Sequence, residues 1–450
     1  LLRQKASSLN ALRFHITSLG CAKNTVDTHS MTTLLIRAGH QASPNPEQAD
    51  VLIVNTCGFI QPAREESFGV LKDLASTKRS NQWLIAAGCL PQYIGTEISD
   101  HVPDLDALIS TRRWMDIVPL LQDLSTDSHP KPLVHLPHSP TVGSDEQGIK
   151  RVAIQGASAY LKIADGCHRT CSFCAIPQIK GIAVSRPLER ILSEAQHLQD
   201  QGVRELVLIA QDTTSYGYDL GMRHGFSKLL DDLVQKVPEI DWIRILYAFP
   251  SSVNASLIET MARHEQIIPY LDMPLQHAHP DMLRRMHRPT DLEAIRRRLD
   301  DLRRAMPQIA LRTAFIVGFP GETEDEFQRL IDFTTEQRFD RLGVFTYSFE
   351  SRTPAGNLGD PVPEALKQER YARLMELQQQ ISLEKHQQLV GRRLDVLIEG
   401  HDESLSIGRS YRDAPEIDGL VFVEDALEIG DIHSVEIDHA LPYDLKGHSV

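Results

Sequence analysis

After Cys174 the chain has no cysteine at all, and the six it does have all lie in the first 174 of its 450 residues. Six in a chain of this length do not make a disulfide framework; in a reducing compartment they point to metal binding or redox chemistry. Long hydrophobic runs are also missing. The opening LLRQKASSLNALRFH lacks the apolar core of a signal peptide, and no later stretch could span a bilayer. A cytoplasmic location with no membrane partner is therefore expected. Positive charge is in deficit: 47 basic against 61 acidic residues leave a formal net charge of -14, which counts against a general affinity for nucleic acid. The remaining composition, 41% hydrophobic and 24% charged, is that of an ordinary globular protein long enough for two or three domains.

Residues 12–124 alternate short apolar runs with helical patterns. RFHITSLG, DVLIVNTCGF, QWLIAAGC and LDALIS read as buried strands, with TVDTHSMTTLLIRAG and AREESFGVLKDLAS as helices, the βαβ rhythm of an open parallel α/β sheet. Residues 125–150 are rich in Pro, His and Ser without a period and read as a linker. Within 151–386, six strand patterns (YLKIAD, ELVLIAQD, WIRILYAF, YLDMPL, LRTAFIVG, RLGVFTYS) alternate with helices. Six units suggest an open (β/α)6 partial barrel, since eight close one. QERYARLMELQQQISLEKHQQLVG then reads as a long connecting helix, and 387–450 as a small antiparallel β-barrel of OB-like type.

ADGCHRTCSFC holds Cys167, Cys171 and Cys174 within eight residues, with no fourth cysteine to follow. Three thiolates leave one iron of a [4Fe–4S] cube without a protein ligand, open to a substrate or cofactor. The alternative is structural zinc, which usually closes with four ligands, and His168 is poorly placed to be the fourth. Cys21, Cys57 and Cys89 each follow a predicted strand, and ligand-binding residues of open α/β sheets collect at those strand ends. Three buried structural thiols explain the same spacing equally well.

The C-x3-C-x2-C spacing resembles the signature of the radical S-adenosylmethionine (SAM) superfamily. Together LGCAKN, NTCGF, AGCLPQ, GCHRTCSFC and FIVGFPGET resemble the methylthiotransferase family over nearly the whole chain. The resemblance implies an N-terminal methylthiotransferase domain, a radical SAM domain and a terminal TRAM domain. It implies two [4Fe–4S] clusters: an auxiliary one on Cys21, Cys57 and Cys89, and a catalytic one on Cys167, Cys171 and Cys174 whose open iron binds SAM. Reductive cleavage of SAM then yields a radical that takes hydrogen from an unactivated carbon, chemistry beyond acid–base catalysis. Phe173 is expected near the SAM adenine, Gln211 and Asp212 at a strand end facing SAM or substrate, and Gly318 and Gly321 in an adenine-contact turn.

IPYLDMPLQHA, AQDTTSYG and GRSYRDAPEIDG resemble the branch that modifies the β-carbon of an aspartate in small-subunit ribosomal protein twelve. That partner would be met free or within the ribosome, and the resemblance implies an electron donor that the sequence leaves unidentified. Two other readings stay open: modification of an adenosine in tRNA, and a non-catalytic, metal-stabilised RNA-binding module. Roughly 14 acidic against 5 basic residues after Gln388 disfavour tRNA and suit a basic protein, with Asp413, Glu416 and Asp418 as candidate readers. The arginine-rich LRRMHRPTDLEAIRRRLDDLRR reads as a solvated helix face.

Overall fold

The computed structural model describes residues 11–126, 132–137, 148–402 and 405–450. It divides into two compact units. The first takes residues up to Ala153 with Asp165–Arg169 and Cys174–Val184; the second takes Ile154–Ala164, Thr170–Phe173 and Ser185–Val450. Among the described residues no helix is long and apolar enough to cross a membrane.

The first unit is built on a parallel sheet of β1 (Arg13–Ser18), β2 (Gln41–Ala42), β3 (Val51–Thr56), β4 (Trp83–Gly88), β5 (Ala107–Ser110) and β6 (Leu133–His135), in the order β2-β1-β3-β4-β5-β6. Every residue of β3 is buried, because helices cover both faces of the sheet. Alternate side chains serve opposite cores. Val51, Ile53, Ile85 and Ala87 pack with Met31, Leu35 and Trp114, while Leu52, Val54, Leu84 and Ala86 pack with Leu71 and Ile98. β6 falls in the stretch read as a linker and pairs Leu133 with Ala107. Three residues are too short a run to show a period; the linker residues 127–131 and 138–147 lie outside the described residues.

In the second unit six parallel strands stand side by side in chain order: Ser158–Lys162, Glu205–Ile209, Trp242–Ile245, Ile267–Asp272, Ala310–Val317 and Arg341–Thr346. These six are the strands the apolar runs imply; the same open sheet also carries a seventh, Val152–Gln155, beside Ser158–Lys162. The helix Glu364–Gln387 leads to a closed five-stranded barrel. Its neighbours are antiparallel except Val421–Val423 and Leu445–Ser449, which run in the same direction. The expected antiparallel barrel thus has one parallel seam, where the final strand returns to close it.

The GRSYRDAPEIDG segment is not, as a whole, a solvent-facing reader: Asp413 is buried and Asp418 half-buried, while Glu416 stays exposed. It plugs the amino-terminal ends of the six strands. Arg409 donates to Glu205 (2.6 Å) and Ser158 (3.0 Å), and Arg244 pairs with the same Glu205 (2.6 Å) while donating to the Tyr411 carbonyl (2.8 Å). Asp413 pairs with Arg341; Asp418 accepts from Tyr270 (2.7 Å) and pairs with Arg312 (3.4 Å); Glu416 accepts from Tyr160 (3.0 Å). A charge count cannot tell a carboxylate aimed at buried arginine from one aimed at water. Burial alone would raise the Glu205 carboxyl, but Arg409 and then Arg244 outweigh it and hold its pKa at about 2. Catalytic residues of such barrels gather at the opposite, carboxyl ends of the strands.

Candidate metal centres

Cys21, Cys57 and Cys89 come together because β1, β3 and β4 are adjacent and in register. Ser18 lies beside Asn55, and Thr56 beside Gly88, so the three cysteines leave one edge of the sheet at one level. Cys21 caps the helix Ala22–Arg37, Cys57 follows β3 directly, and Cys89 opens the helix Cys89–Ile94. Side chains in the same motifs fix the turns. Asn24 donates to the carbonyls of Leu19 (2.9 Å) and Thr56 (3.0 Å), and its Oδ1 accepts from the Cys89 thiol at 3.6 Å. Asn55 donates to the Asn24 carbonyl (2.9 Å), and Ser67 exchanges hydrogen bonds with the backbone of Cys57.

Gly20 keeps the space before Cys57 open. It sits at φ 88°, and a methyl group there would stand 2.9 Å from Cys57 Cβ and 3.2 Å from its Sγ. Desolvation pushes the Cys21 thiol up, but Lys23, nearby backbone N–H groups and Lys180 leave it below its ordinary value. Burial raises Cys57, and raises Cys89 to about 12; for both, the neighbouring thiols add to the rise and Lys180 opposes it. Cys57 thus feels the charge of Cys21, and Cys89 that of both. Among the described residues no three His, Cys, Asp or Glu side chains close on one point as a single ion would need. Binding any group through these thiols as thiolate ligands would be helped by Lys180.

Lys180 comes from the segment just after Cys174. It is buried, donating to Asp27 (2.8 Å) and Thr111 (2.6 Å). Burial alone would lower its pKa, but Asp27 and the charge of Cys89 raise it well above the usual lysine range. The same segment is tied by Arg112, which donates to the Ile179 carbonyl (2.9 Å), while Ala175 and Ile179 pack on Cys89 and Tyr93. The sequence offered no periodicity to single out Lys180; its proximity to the first triad is a product of the fold.

Cys167 and Cys174 belong to the first unit and Cys171 to the second. Cys167 donates its amide to the Gly181 carbonyl (3.0 Å), and its Sγ accepts from the Arg169 amide (3.4 Å). The loop carrying Cys171 is clasped by residues 285–288. Ser172 donates through its amide to Met286 (3.1 Å) and through its hydroxyl to Arg285 (2.7 Å); His287 Nδ1 meets the Thr170 carbonyl at 2.9 Å; Arg288 lies 3.6 Å from Cys171 Sγ. This corrects the reading of LRRMHRPT as solvated. Arg284, Arg297 and Arg304 face water, but Arg285 is tied to Glu326 and Arg288 is buried.

Phe173 packs against Met282, Met286, Phe319 and Tyr347, which brings it beside the FIVGFPGET turn. Gly318 takes φ 72°, and an added Cβ would strike the Lys367 stem at 2.4 Å; Gly321 takes φ 79° beside Arg285. The Gly318 amide donates to Glu322, which also holds His277 (2.9 Å) and Arg370 (2.6 Å) in a buried network absent from the sequence reading. Gln211 and Asp212 follow the second strand at its carboxyl end. Gln211 Oε1 is buried without a partner among the described residues, and Asp212 accepts from Thr214 (2.6 Å). Tyr247 and Gln276 hold positive φ (61° and 77°), both just past strand ends. Such strained non-glycine residues collect at functional sites.

Three family models match: Uncharacterized protein family UPF0004 over residues 13–110, the Radical SAM superfamily over 161–334 and the TRAM domain over 390–450. Among solved structures, the radical S-adenosylmethionine methyltransferase TsrM from Kitasatospora setae, with cobalamin and a [4Fe-4S] cluster bound, shares 13% identity at a TM-score of 0.57, covering 86% of this chain and 81% of its own. The cobalamin-dependent S-adenosylmethionine radical enzyme OxsB aligns at a TM-score of 0.51 with 12% identity, over 84% of this chain and 56% of its own. Both speak for the fold alone. Proteins named ribosomal protein uS12 methylthiotransferase RimO from Roseiflexus sp. (strain RS-1) and Herpetosiphon aurantiacus are 46% and 45% identical, each over 98% of this chain and over 97% and 100% of their own lengths. Identity of that order across nearly the full length of both partners leaves one conclusion: the chain belongs to the ribosomal protein uS12 methylthiotransferase RimO family.

Proposed function

We propose that this chain is a radical SAM methylthiotransferase that adds a methylthio group to the β-carbon of an aspartate in ribosomal protein uS12. The observation that carries the reading is the full-length RimO identity, in a chain whose two sets of thiols are each held by dedicated backbone and side-chain contacts. Cys21, Cys57 and Cys89 would hold an auxiliary [4Fe–4S] cluster, and Cys167, Cys171 and Cys174 the SAM-binding one. When bound, the clusters and SAM supply the one-electron chemistry, the sulfur and the methyl group that an unactivated carbon requires.

The chain's own residues bind and orient. Asn24, Asn55 and Ser67 lock the turns that carry the first triad, Lys180 offsets its negative charge, and the 285–288 clasp fixes the loop that carries Cys171. Phe173, Gly318 and Gly321 would line the adenine, with Gln211 and Asp212 toward SAM or substrate. The free amide oxygen of Gln211 supports that assignment, since a buried polar atom without a partner awaits one. Substrate choice is read on the acidic barrel, where Asp395, Asp402, Glu428 and Asp431 remain exposed and suit a basic ribosomal protein better than RNA. We place the enzyme in the cytoplasm, with its substrate. The test offers reconstituted enzyme, SAM and a reductant to uS12 and to tRNA in parallel. Methylthiolated uS12 by mass spectrometry supports the reading, and modified tRNA with unmodified uS12 overturns it.

A further inference from the structure

Eight arginines are buried in the described structure: Arg151, Arg186, Arg244, Arg288, Arg341, Arg370, Arg409 and Arg412. Seven hold a carboxylate: Asp27 for Arg151, Glu194 for Arg186, Glu205 for both Arg244 and Arg409, Asp413 for Arg341, Glu322 for Arg370 and Asp340 for Arg412. Arg288 is the exception. Among the described residues it has no carboxylate partner. Its contacts are the Pro274 carbonyl, the face of Phe249 (4.2 Å to the ring centre) and Cys171 Sγ at 3.6 Å, and its Nε–H has no acceptor among the described residues. A guanidinium never gives up its charge in a protein, and a buried charge without a counter-charge is among the costliest things a fold can hold. The seven other cases show how this chain normally meets that cost.

We infer that Arg288 is a positioning and charge-tuning residue for the cluster ligand Cys171, and that the anion it was placed for is the thiolate-bound cluster itself. The inference rests on the reading of Cys171 as a ligand and adds what the surrounding protein does to it. Hydrogen bonds to the sulfurs and net charge both set the potential of an iron–sulfur centre. A cation beside a ligand sulfur favours the more negative, reduced state, so Arg288 makes the electron needed to cleave SAM easier to accept. Phe249 holds the guanidinium flat by stacking, and the Arg288 amide, bonded to the Leu283 carbonyl at 2.7 Å, fixes the backbone from which it reaches. Arg288 touches the ligand and not the reacting atoms, so its role lies in the potential.

The test is an EPR-monitored redox titration of the anaerobically reconstituted full-length chain carrying Cys57→Ala, so that only the centre on Cys171 reports. Arg288→Met in that background should keep the parent's iron content and shift the one-electron reduction equilibrium against the reduced state at least tenfold, about 59 mV more negative. Arg288→Lys, which keeps the charge without the fork, should recover at least half of that shift. A methionine variant that loads iron and titrates within threefold of the parent overturns the inference. If neither variant holds iron, Arg288 is a structural brace and the tuning role is overturned equally. A Cys171→Ala chain that keeps parent iron content and potential would instead remove the ligand reading on which the inference stands.

Discussion

Replacing Glu205 by Gln tests the plug that joins the terminal barrel to the six parallel strands. The carboxylate is fully buried between Arg244 and Arg409, at 2.6 Å from each. The substitution keeps the shape but takes the carboxylate from the buried Arg244, while Arg409 retains Glu399 (2.6 Å), and a cost of ~3–5 kcal/mol is expected for breaking the buried pair. A second route gives the same size: holding a carboxyl at about 2 instead of the usual 4.5 corresponds to roughly 3 kcal/mol at neutral pH. The sign follows from the depressed pKa. Between those two values the unfolded chain binds the proton more readily, so the contribution is complete above about pH 5 and is lost as pH falls from 4.5 toward 2. Unfolding of the apo protein by urea, followed by circular dichroism, should show the Glu205→Gln gap at pH 7 and its narrowing in acid. Adding Arg244→Met should recover part of the loss, because Arg244 pairs with Glu205 whereas Arg409 keeps Glu399 at 2.6 Å. A Gln variant within ~1 kcal/mol of wild type at pH 7 would refute the plug as a buried ionic strut.

Gly20→Val should fill the space in front of Cys57 and lower the iron of the reconstituted protein by about half, the share of one of two equal clusters, while leaving SAM cleavage measurable; unchanged iron would place the first triad's ligand elsewhere. Changing the exposed Asp395, Asp402, Glu428 and Asp431 together to Lys should weaken uS12 binding several-fold at low salt and less at high salt, read by titration at two ionic strengths. The same changes should leave thermal stability nearly untouched, whereas Asp413→Lys should unfold the barrel's seat, since Asp413 is buried against Arg341.

The sheet strands were legible because parallel strands covered on both faces read as unbroken apolar runs, VLIVNT and ELVLI among them. The meeting of Cys21, Cys57 and Cys89 was legible as a possibility, since each follows such a run; deciding it needed the register of β1, β3 and β4, which no spacing contains. Arg288 was misread for a physical reason. It follows the short helix Pro280–Arg285, in a run of arginines of which Arg284, Arg297 and Arg304 do face water. His287 at φ 54° turns the chain back toward the Cys171 loop, and that turn leaves no mark in composition or period. Asp413 and Asp418 were misread likewise, as counted charge without direction. Strand β6, three residues long, offered too little pattern to separate it from its Pro-rich surroundings.

The central claim is that two thiol sets divide the labour on one substrate, and Cys57→Ala addresses it most directly. Reconstituted with iron and sulfide and given SAM, reductant and uS12, this variant should hold about half the wild-type iron and still cleave SAM. The mass spectrum of its uS12 should show no methylthio group on any aspartate, whereas the wild type modifies one. Methylthiolation of uS12 at the wild-type level by Cys57→Ala would contradict the account.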